Sequence, residues 1–324
     1  MELPIVCREN LNHLTEHADL ARLRMETAAM TEAYQTGSGR GKVLVSSRDA
    51  VLAYAAVRMP ATYAADRTAL SWVCETLPGE TEITSVLDLG AGTGAGIWAV
   101  SETFPEVSVT AVEREREMIS VGRALLEGSG IPVTWLCADA GKALEDLVRE
   151  GKQFDLVMAS YMTNELSEKE RERLLPLLWA VTGKLLLLIE PGTKTGSGIL
   201  RSARKTFTEL GAHIAAPCPE LAECPIAEGD WCHFTARAAR SKLHKLLKGG
   251  DVPYEDEKFS YLACVRGNCT PCEARILRHP YRESGRITLT LCSADGWETK
   301  TVTKRDKAFG EARKADCGDA FHGN

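Results

Sequence analysis

Residues 215–234 read Ala-Ala-Pro-Cys-Pro-Glu-Leu-Ala-Glu-Cys-Pro-Ile-Ala-Glu-Gly-Asp-Trp-Cys-His-Phe, and no regular element accommodates them. Cys218, Cys224 and Cys232 fall inside 15 residues, among Pro217, Pro219 and Pro225. Proline fixes φ and removes a backbone donor, so neither a helix nor a ladder strand runs through. A long irregular stretch inside a compact domain is uncommon unless something beyond apolar burial holds it. Three thiols supply the means: a thiolate-bound metal ion or iron–sulfur cluster. Such binding is worth on the order of 10 kcal/mol in small zinc domains, enough to order a loop.

With 324 residues the chain can bury a full core, as one large domain with extensions or as two domains. The longest strongly apolar stretch, 185–189, is far too short to span a membrane. The start, Met1-Glu-Leu-Pro-Ile-Val, has neither the basic and apolar parts of a secretory signal nor the Arg- and Ser-rich character of a transit peptide. A cytoplasmic protein is expected. In that compartment eleven cysteines argue for metal or redox chemistry rather than disulfides. Charge is uneven. From His233 onward there are 17 Lys and Arg against 12 Asp and Glu, whereas the preceding part has 22 against 33. The C-terminal part is therefore the candidate nucleic-acid face, unless it is a solvated mixed-charge surface.

Residues 1–82 read as helical, with helices expected at 15–34, 48–63 and 64–77 and a flexible break at 37–42. From Thr84 short apolar segments alternate with helical ones. Strands are expected at 85–89, 107–112, 132–137, 154–159 and 184–189, and helices at 95–103, 117–128, 141–151 and 168–181. That alternation predicts a parallel, doubly wound α/β sheet. A helix at 197–210, a strand at 213–216, a basic helix at 235–247, a strand at 258–266 and a hairpin of 286–292 and 297–304 complete the chain. Four regions are expected: N-terminal helices (1–82), a Rossmann-like cofactor domain (83–216), a cysteine-rich insertion with a basic helix (217–257), and a last sheet strand with hairpin and tail (258–324).

Val86-Leu-Asp-Leu-Gly-Ala-Gly-Thr-Gly94 follows one expected strand and opens a helix. Glycines there let the backbone approach a ligand where a Cβ would collide. Asp88 before Gly90, Gly92 and Gly94 is the arrangement of S-adenosylmethionine-dependent methyltransferases. Glu113 ends the second strand, where a carboxylate can accept both ribose hydroxyls. Asp139 ends the third, within reach of an adenine amine. A nicotinamide site would need a third glycine spaced differently from Gly90-Ala-Gly-Thr-Gly94. The loop after the fourth strand, Ala159-Ser-Tyr-Met-Thr-Asn-Glu-Leu166, lacks the Asn/Asp-Pro-Pro-Tyr/Phe of amino-methylating enzymes and a cytosine-C5-type cysteine. Asn164 and Glu165 are the candidate substrate-orienting residues; the same residues suit a helix cap equally well.

Three thiols need a fourth ligand, and Cys264, Cys269, Cys272 and Cys292 are the downstream candidates; spacing does not choose among them. Beyond spacing, Arg58-Met-Pro-Ala-Thr-Tyr-Ala-Ala65, the glycine loop, Glu190-Pro-Gly-Thr193, Ala216-Pro-Cys-Pro219, Trp231-Cys-His-Phe234 and Glu257-Lys-Phe-Ser-Tyr261 together resemble the ribosomal small-subunit methyltransferase-like family, which has mitochondrial and bacterial members. The resemblance spans residues from about Tyr34 to the C-terminal hairpin. It implies a class I methyltransferase-like fold, association with the small ribosomal subunit during assembly, and a 4Fe–4S cluster on Cys218, Cys224, Cys232 and Cys292. Zinc is the alternative occupant. Cys264, Cys269 and Cys272 form an additional set outside that pattern: a second metal site, a substitute ligand or free thiols. Cys7, Cys74, Cys137 and Cys317 read as structural or incidental, with Cys74 and Cys137 on core-like positions, and His233 as a hydrogen-bonded neighbour of the cluster rather than a ligand.

Arg237-Ala-Ala-Arg-Ser-Lys-Leu-His-Lys-Leu-Leu-Lys248 carries five cations and no acid. As a helix it would turn Leu243, Leu246 and Leu247 inward, leaving Arg237, Arg240, Lys242, Lys245 and Lys248 for rRNA phosphates. Arg275, Arg278, Arg282 and Arg286, with the tail 304–314, would extend the patch. Three functions are open: an rRNA methyltransferase; a non-catalytic assembly factor; or a zinc-clamped methyltransferase with a protein or small-molecule substrate. A monomer off the ribosome is expected.

Overall fold

A computed structural model describes residues 1–36, 47–219, 223–227 and 229–323, so the break expected at 37–42 lies outside the described residues. Four helices open the chain: α1 (Ile5–Thr15), α2 (Leu20–Thr36), α3 (Arg48–Val57) and α4 (Met59–Cys74). The Ser47 hydroxyl caps α3 by accepting from the Ala50 amide. Pro60 lies in the first turn of α4, where a missing N–H breaks no helix bond. It therefore starts a helix, and the helix expected at 64–77 begins at Met59 instead.

The alternating part follows the expected order: β1 (Ser85–Leu89), α5 (Ala95–Thr103), β2 (Ser108–Glu113), α6 (Arg116–Leu125), β3 (Val133–Cys137), α7 (Ala140–Arg149), β4 (Phe154–Ser160), α8 (Glu168–Ala180), β5 (Thr182–Pro191), α9 (Lys194–Glu209) and β6 (His213–Ala216). After the cysteine segment come β7 (Phe234–Ala239), α10 (Lys242–Lys248) and β8 (Tyr254–Val265). The main sheet runs β3-β2-β1-β4-β5-β8-β6, with β7 also on β8. β1 to β5 are mutually parallel, and β8 is antiparallel to β5, β6 and β7. Its two faces are covered separately. Val86, Val109, Leu185 and Leu187 share a core with the N-terminal helices, α5 and α6. Leu87, Leu89, Val157, Leu186 and Leu188 pack with α7, α8 and α9. Burial on both faces is why these strands read as continuous apolar runs.

β8 organises the antiparallel edge. Residues 259–265 pair with β5, while on the other edge 263–265 pair with β6 and 254–259 with β7. The cysteine segment spans the interval between β6 and β7, opposite Ser260–Leu262. It leaves β6 through a cis Ala216–Pro217 peptide.

A second, five-stranded sheet follows: β9 (Ala274–Ile276), β10 (Tyr281–Glu283), β11 (Arg286–Ser293), β12 (Gly296–Thr303) and β13 (Ala320–Phe321), with α11 (Phe309–Lys314) packed on it. Ile276, Ile287, Leu289, Leu291, Val302, Ala312 and Phe321 form its own core. The expected hairpin is its centre, paired from Arg286↔Thr303 to Ser293↔Gly296.

Two expectations fail here. Residues 234–239 form a strand, not the start of a basic helix, and the helix begins at Lys242. Phe234, Ala236 and Ala238 point inward in strict alternation and pair with β8, and that cross-strand pairing overrides the helical propensity of the alanines. Cys74 and Cys137 are exposed rather than core residues. Cys74 ends α4 beyond the buried Leu70 and Val73, and Cys137 ends β3 at the sheet edge.

Candidate functional site

The sheet reverses direction of growth between β1 and β4, and a cavity of about 330 Å³ opens beyond the carboxyl ends of the strands there. Gly90, Gly92, Glu113, Asp139, Asn164 and Glu165 all line it. Gly90, Gly92 and Gly94 each take positive φ, at 70°, 54° and 94°, conformations that glycine adopts without strain. A Cβ at Gly90 would stand 2.8 Å from Met162 Cγ.

Glu113 is tied to this loop. Its Oε2 accepts from the Gly92 amide at 2.9 Å and its Oε1 from the Glu115 amide at 2.9 Å. Asp139 caps α7, its Oδ1 accepting from the Lys142 amide at 3.1 Å, with its side chain exposed at the rim. Asp88 does not line the cavity. It lies buried beneath the loop, where a Cβ on Gly96 would come within 2.7 Å of Oδ2. That oxygen has no hydrogen-bond partner among the described residues. Burial, reinforced by the charge of Glu113, pushes Asp88 up to about 7. Asp66 of α4 is buried beside it and accepts from the Ser160 hydroxyl at 2.8 Å; burial raises it well above the carboxylate range.

The loop after β4 is fixed by Glu190 at the end of β5. This buried carboxylate accepts from the Thr163 amide at 2.9 Å, from the Thr163 hydroxyl, and from Asn164 Nδ2 at 2.8 Å. Burial outweighs those bonds and raises Glu190 to about 7. Asn164 Nδ2 also donates to the Tyr161 carbonyl at 3.0 Å, so its amide holds the loop. Tyr161 has φ +58°, a costly conformation for a bulky residue. The cap of α8 is Ser167 with Glu170, a reciprocal capping box, not the Ser160–Glu165 run. Glu165 faces the cavity, raised by burial and lowered by Arg114.

Sequence reasoning missed the opposite wall. Tyr54, Arg58 and Thr62 reach the cavity from α3 and α4. Arg58 pairs with Glu257 of β8, Nη2 to Oε1 3.3 Å, so two of the quoted motifs meet here. Arg58 and Thr62 lie in the quoted Arg58–Ala65 motif, the available signal, and Tyr54 lies outside it; no local pattern gives them a role.

The second site is sulfur-rich. Cys218, Cys224 and Cys232 line one small cavity with Arg204, Ser260 and Tyr261. The Ser260 hydroxyl donates to the Cys232 carbonyl at 2.6 Å. Burial pushes Cys218 up to about 11 and Cys292 to about 12, and raises Cys232 strongly; Cys232 also senses the charge of Cys218, Cys292 and Cys224, and Cys292 that of Cys218 and Cys224. Cys292 thus joins the group from β11. Among the described residues, however, no three His, Cys, Asp or Glu side chains are placed to hold a metal ion. Cys264 is buried on β8 near Cys218 and Cys269, and Cys272 Sγ lies 3.8 Å from the Pro217 carbonyl. His233 Nδ1 lies 3.4 Å from the Trp231 carbonyl, consistent with a hydrogen-bonded neighbour.

The expected RNA helix is largely neutralised. Arg237 is on β7 and pairs with Asp256 at 2.7 Å, Arg240 and Lys248 pair with Glu255 at 3.0 and 2.9 Å, and among the described residues only Lys242 and Lys245 of this run carry no such pair. Leu246 is 48% exposed, while His244 takes the inward position with Leu247. Arg275 is buried, donating to the carbonyls of Pro217 and Gly318, and does not belong to a surface patch.

Strand order, an antiparallel strand between β5 and β6, and a glycine-loop cavity at the switch point define a class I methyltransferase-like fold. Among solved structures it is similar to magnesium protoporphyrin IX methyltransferase (ChlM) from Synechocystis PCC 6803 with bound SAM, at 14% identity, 75% of this chain, 97% of that chain and TM-score 0.42. A SAM-dependent methyltransferase from Agrobacterium tumefaciens matches at 12% identity, 62% of each chain and TM-score 0.40. The model of the family described as mitochondrial small ribosomal subunit Rsm22 matches residues 48–322, and the chain belongs to that family. The human mitochondrial ribosome assembly protein METTL17 is 28% identical over 266 residues, 76% of this chain and 56% of its own length. The mitochondrial Rsm22-cox11 tandem protein 2 of Schizosaccharomyces pombe is 25% identical over 287 residues, 73% of this chain and 38% of its own. The chain thus spans about half, or less, of the length of these relatives.

Proposed function

We propose that this chain is an S-adenosylmethionine-binding, iron–sulfur-containing, methyltransferase-like protein that acts on the small ribosomal subunit, in rRNA methylation or in assembly. The observation that carries the reading is the convergence of Gly90, Gly92, Glu113 and Asp139 on one cavity with Asn164 and Glu165. Gly90 and Gly92 would let the cofactor backbone close, Glu113 would accept its ribose hydroxyls, and Asp139 would meet its adenine edge. Asp88 supports the loop from below. When bound, the sulfonium supplies an already activated methyl group, leaving positioning as the protein's task. Calorimetry with S-adenosylmethionine tests this. Glu113→Gln should weaken binding at least tenfold, because the acceptor for two hydroxyls loses its charge; an unchanged affinity would overturn the assignment.

For the second cofactor the reading is a 4Fe–4S cluster, with zinc the alternative. Three thiols share a cavity with a buried arginine, and Cys292 senses the charge of Cys218 and Cys224 from β11. Cys218, Cys224, Cys232 and Cys292 would hold it. Iron, sulfide and zinc analysis of anaerobically purified protein decides between the two.

The non-catalytic alternative has one observation in its favour. The amide of Asn164 is engaged by Glu190 and the Tyr161 carbonyl, so the residue expected to orient a substrate holds its own loop. Methyl incorporation into immature small subunits separates enzyme from assembly factor. The human relative's name, a ribosome assembly protein, supports the ribosomal partner; co-sedimentation checks it. The reading retains a cytoplasmic protein, monomeric off the ribosome, to be checked by fractionation and light scattering.

A further inference from the structure

Of the cations expected to meet RNA, those of the 237–248 run are mostly paired, but those of the tail 304–314 are not. Lys304, Arg305 and Lys307 occupy the turn after β12, Arg313 and Lys314 the last turn of α11, and all five are exposed. Among the described residues none of their side chains makes a hydrogen bond, ion pair or ring contact. The two acids within the same stretch are turned away from them. Asp306 accepts from the Thr303 amide and hydroxyl at 2.6 and 2.8 Å. Glu311 accepts from the His322 and Gly323 amides at 2.8 and 3.1 Å. Nearby Glu283 is held by Arg286, and Asp316 by His279. Glu298 lies six residues back along β12, on the order of 20 Å away.

The support is rigid. Lys304 donates its amide to the Gly285 carbonyl, locking the strand end to the β10–β11 turn. Ala308, Ala312 and Ala315 anchor α11 in the second core. One cation group precedes the six-residue α11 and the other sits in its last turn, so about one helix length, on the order of 9 Å, separates them. Cations held this way, with local acids consumed by backbone amides, lose no internal partner when they meet an anion. A polyphosphate backbone suits the spacing and releases counterions on contact. An anionic membrane is less suited, since the stretch offers no exposed large apolar side chain to insert.

We propose that this end of the second sheet, and not α10, is the surface through which the chain grips RNA phosphates. The proposal rests on the ribosomal reading above only for the source of the RNA. The test is fluorescence anisotropy of the full chain with a labelled single-stranded 30-nucleotide RNA, titrated over salt. The wild type should show a steep fall of log K with log salt. Lys304→Gln/Arg305→Gln/Lys307→Gln should lower the magnitude of the slope by about two and weaken binding about tenfold or more near physiological salt. Lys242→Gln/Lys245→Gln on α10 should change neither. Should the triple variant melt well below the wild type, Arg313→Gln/Lys314→Gln, expected to lower the slope by about one, decides the matter. The proposal is overturned if wild-type binding is salt-independent, if the α10 variant carries the loss, or if the tail variants bind RNA normally and lose only affinity for phosphatidylglycerol vesicles. Co-sedimentation with small subunits separates the two readings. Salt-dependent RNA binding through this face without co-sedimentation sinks the ribosomal function alone. Equal co-sedimentation of wild type and tail variants, with equal RNA affinity, sinks this surface alone.

Discussion

A carboxyl group buried without a cation is most stable with its proton on. Burial raises Asp88 and Glu190 each to about 7, which favours the protonated form below neutrality. Their folded values exceed the unfolded ones, so between roughly pH 4 and 7 the folded chain binds more protons. Stability should therefore fall as pH rises through that interval and recover on acidification. Thermal unfolding of wild type and Asp88→Asn between pH 5.5 and 8 checks this: the variant should lose part of the decline, and parallel curves would show Asp88 ionised throughout. At this scale the sequence showed the residues that sit in their own motif. Glu113 ends β2 and was readable from position; Asp139, expected at the end of the third strand, lies two residues beyond β3 as the cap of α7. Tyr54, Arg58 and Thr62 were not, because they meet the cavity only after α3 and α4 pack over the sheet.

Among the elements, β7 and α10 show where local pattern misleads. The run from Arg237 to Lys248 looks like one basic helix until β8 is placed beside it. Then Glu255 stands between Arg240, His244 and Lys248, with His244 Nε2 3.4 Å away. Burial would raise Glu255, but contacts and charge from His244 and Lys248 hold it well below the usual carboxylate range. Its stabilising effect is present above its ordinary value of 4.5 and fades as pH drops below it. Glu255→Gln should cost about 2 kcal/mol in urea unfolding at pH 7, less than a fully buried pair because the site is partly open to water. A change below a few tenths would show that the cluster is only surface decoration. The parallel strands were legible for the opposite reason: two buried faces write apolar runs that need no partner to be recognised. The short β9, β10 and β13 exist only through pairing with their neighbours and left no such trace.

Across the whole molecule the cysteine segment joins two sheets. It faces Ser260 and Tyr261 of the main sheet, and Pro225 lies near Gly296 in the turn of the second. Arg278, from the second sheet, donates to Asp230 at 2.6 Å and to the Trp231 carbonyl at 3.3 Å. If the four thiols share a cluster, stripping it with a chelator should open residues 217–233 and the β11–β12 hairpin to protease together, while α5 to α9 stay resistant. Cleavage confined to one of the two would show that no common centre links them.

The placement of β8 has a consequence for how the protein is made. A nascent chain that has delivered β1 to β6 still presents the apolar margin of Leu185–Ile189 with nothing beside it, since its neighbour is encoded beyond the cysteines. Premature termination in between would yield a half-finished sheet with a sticky border, a substrate for chaperones and quality-control proteases rather than a smaller working protein.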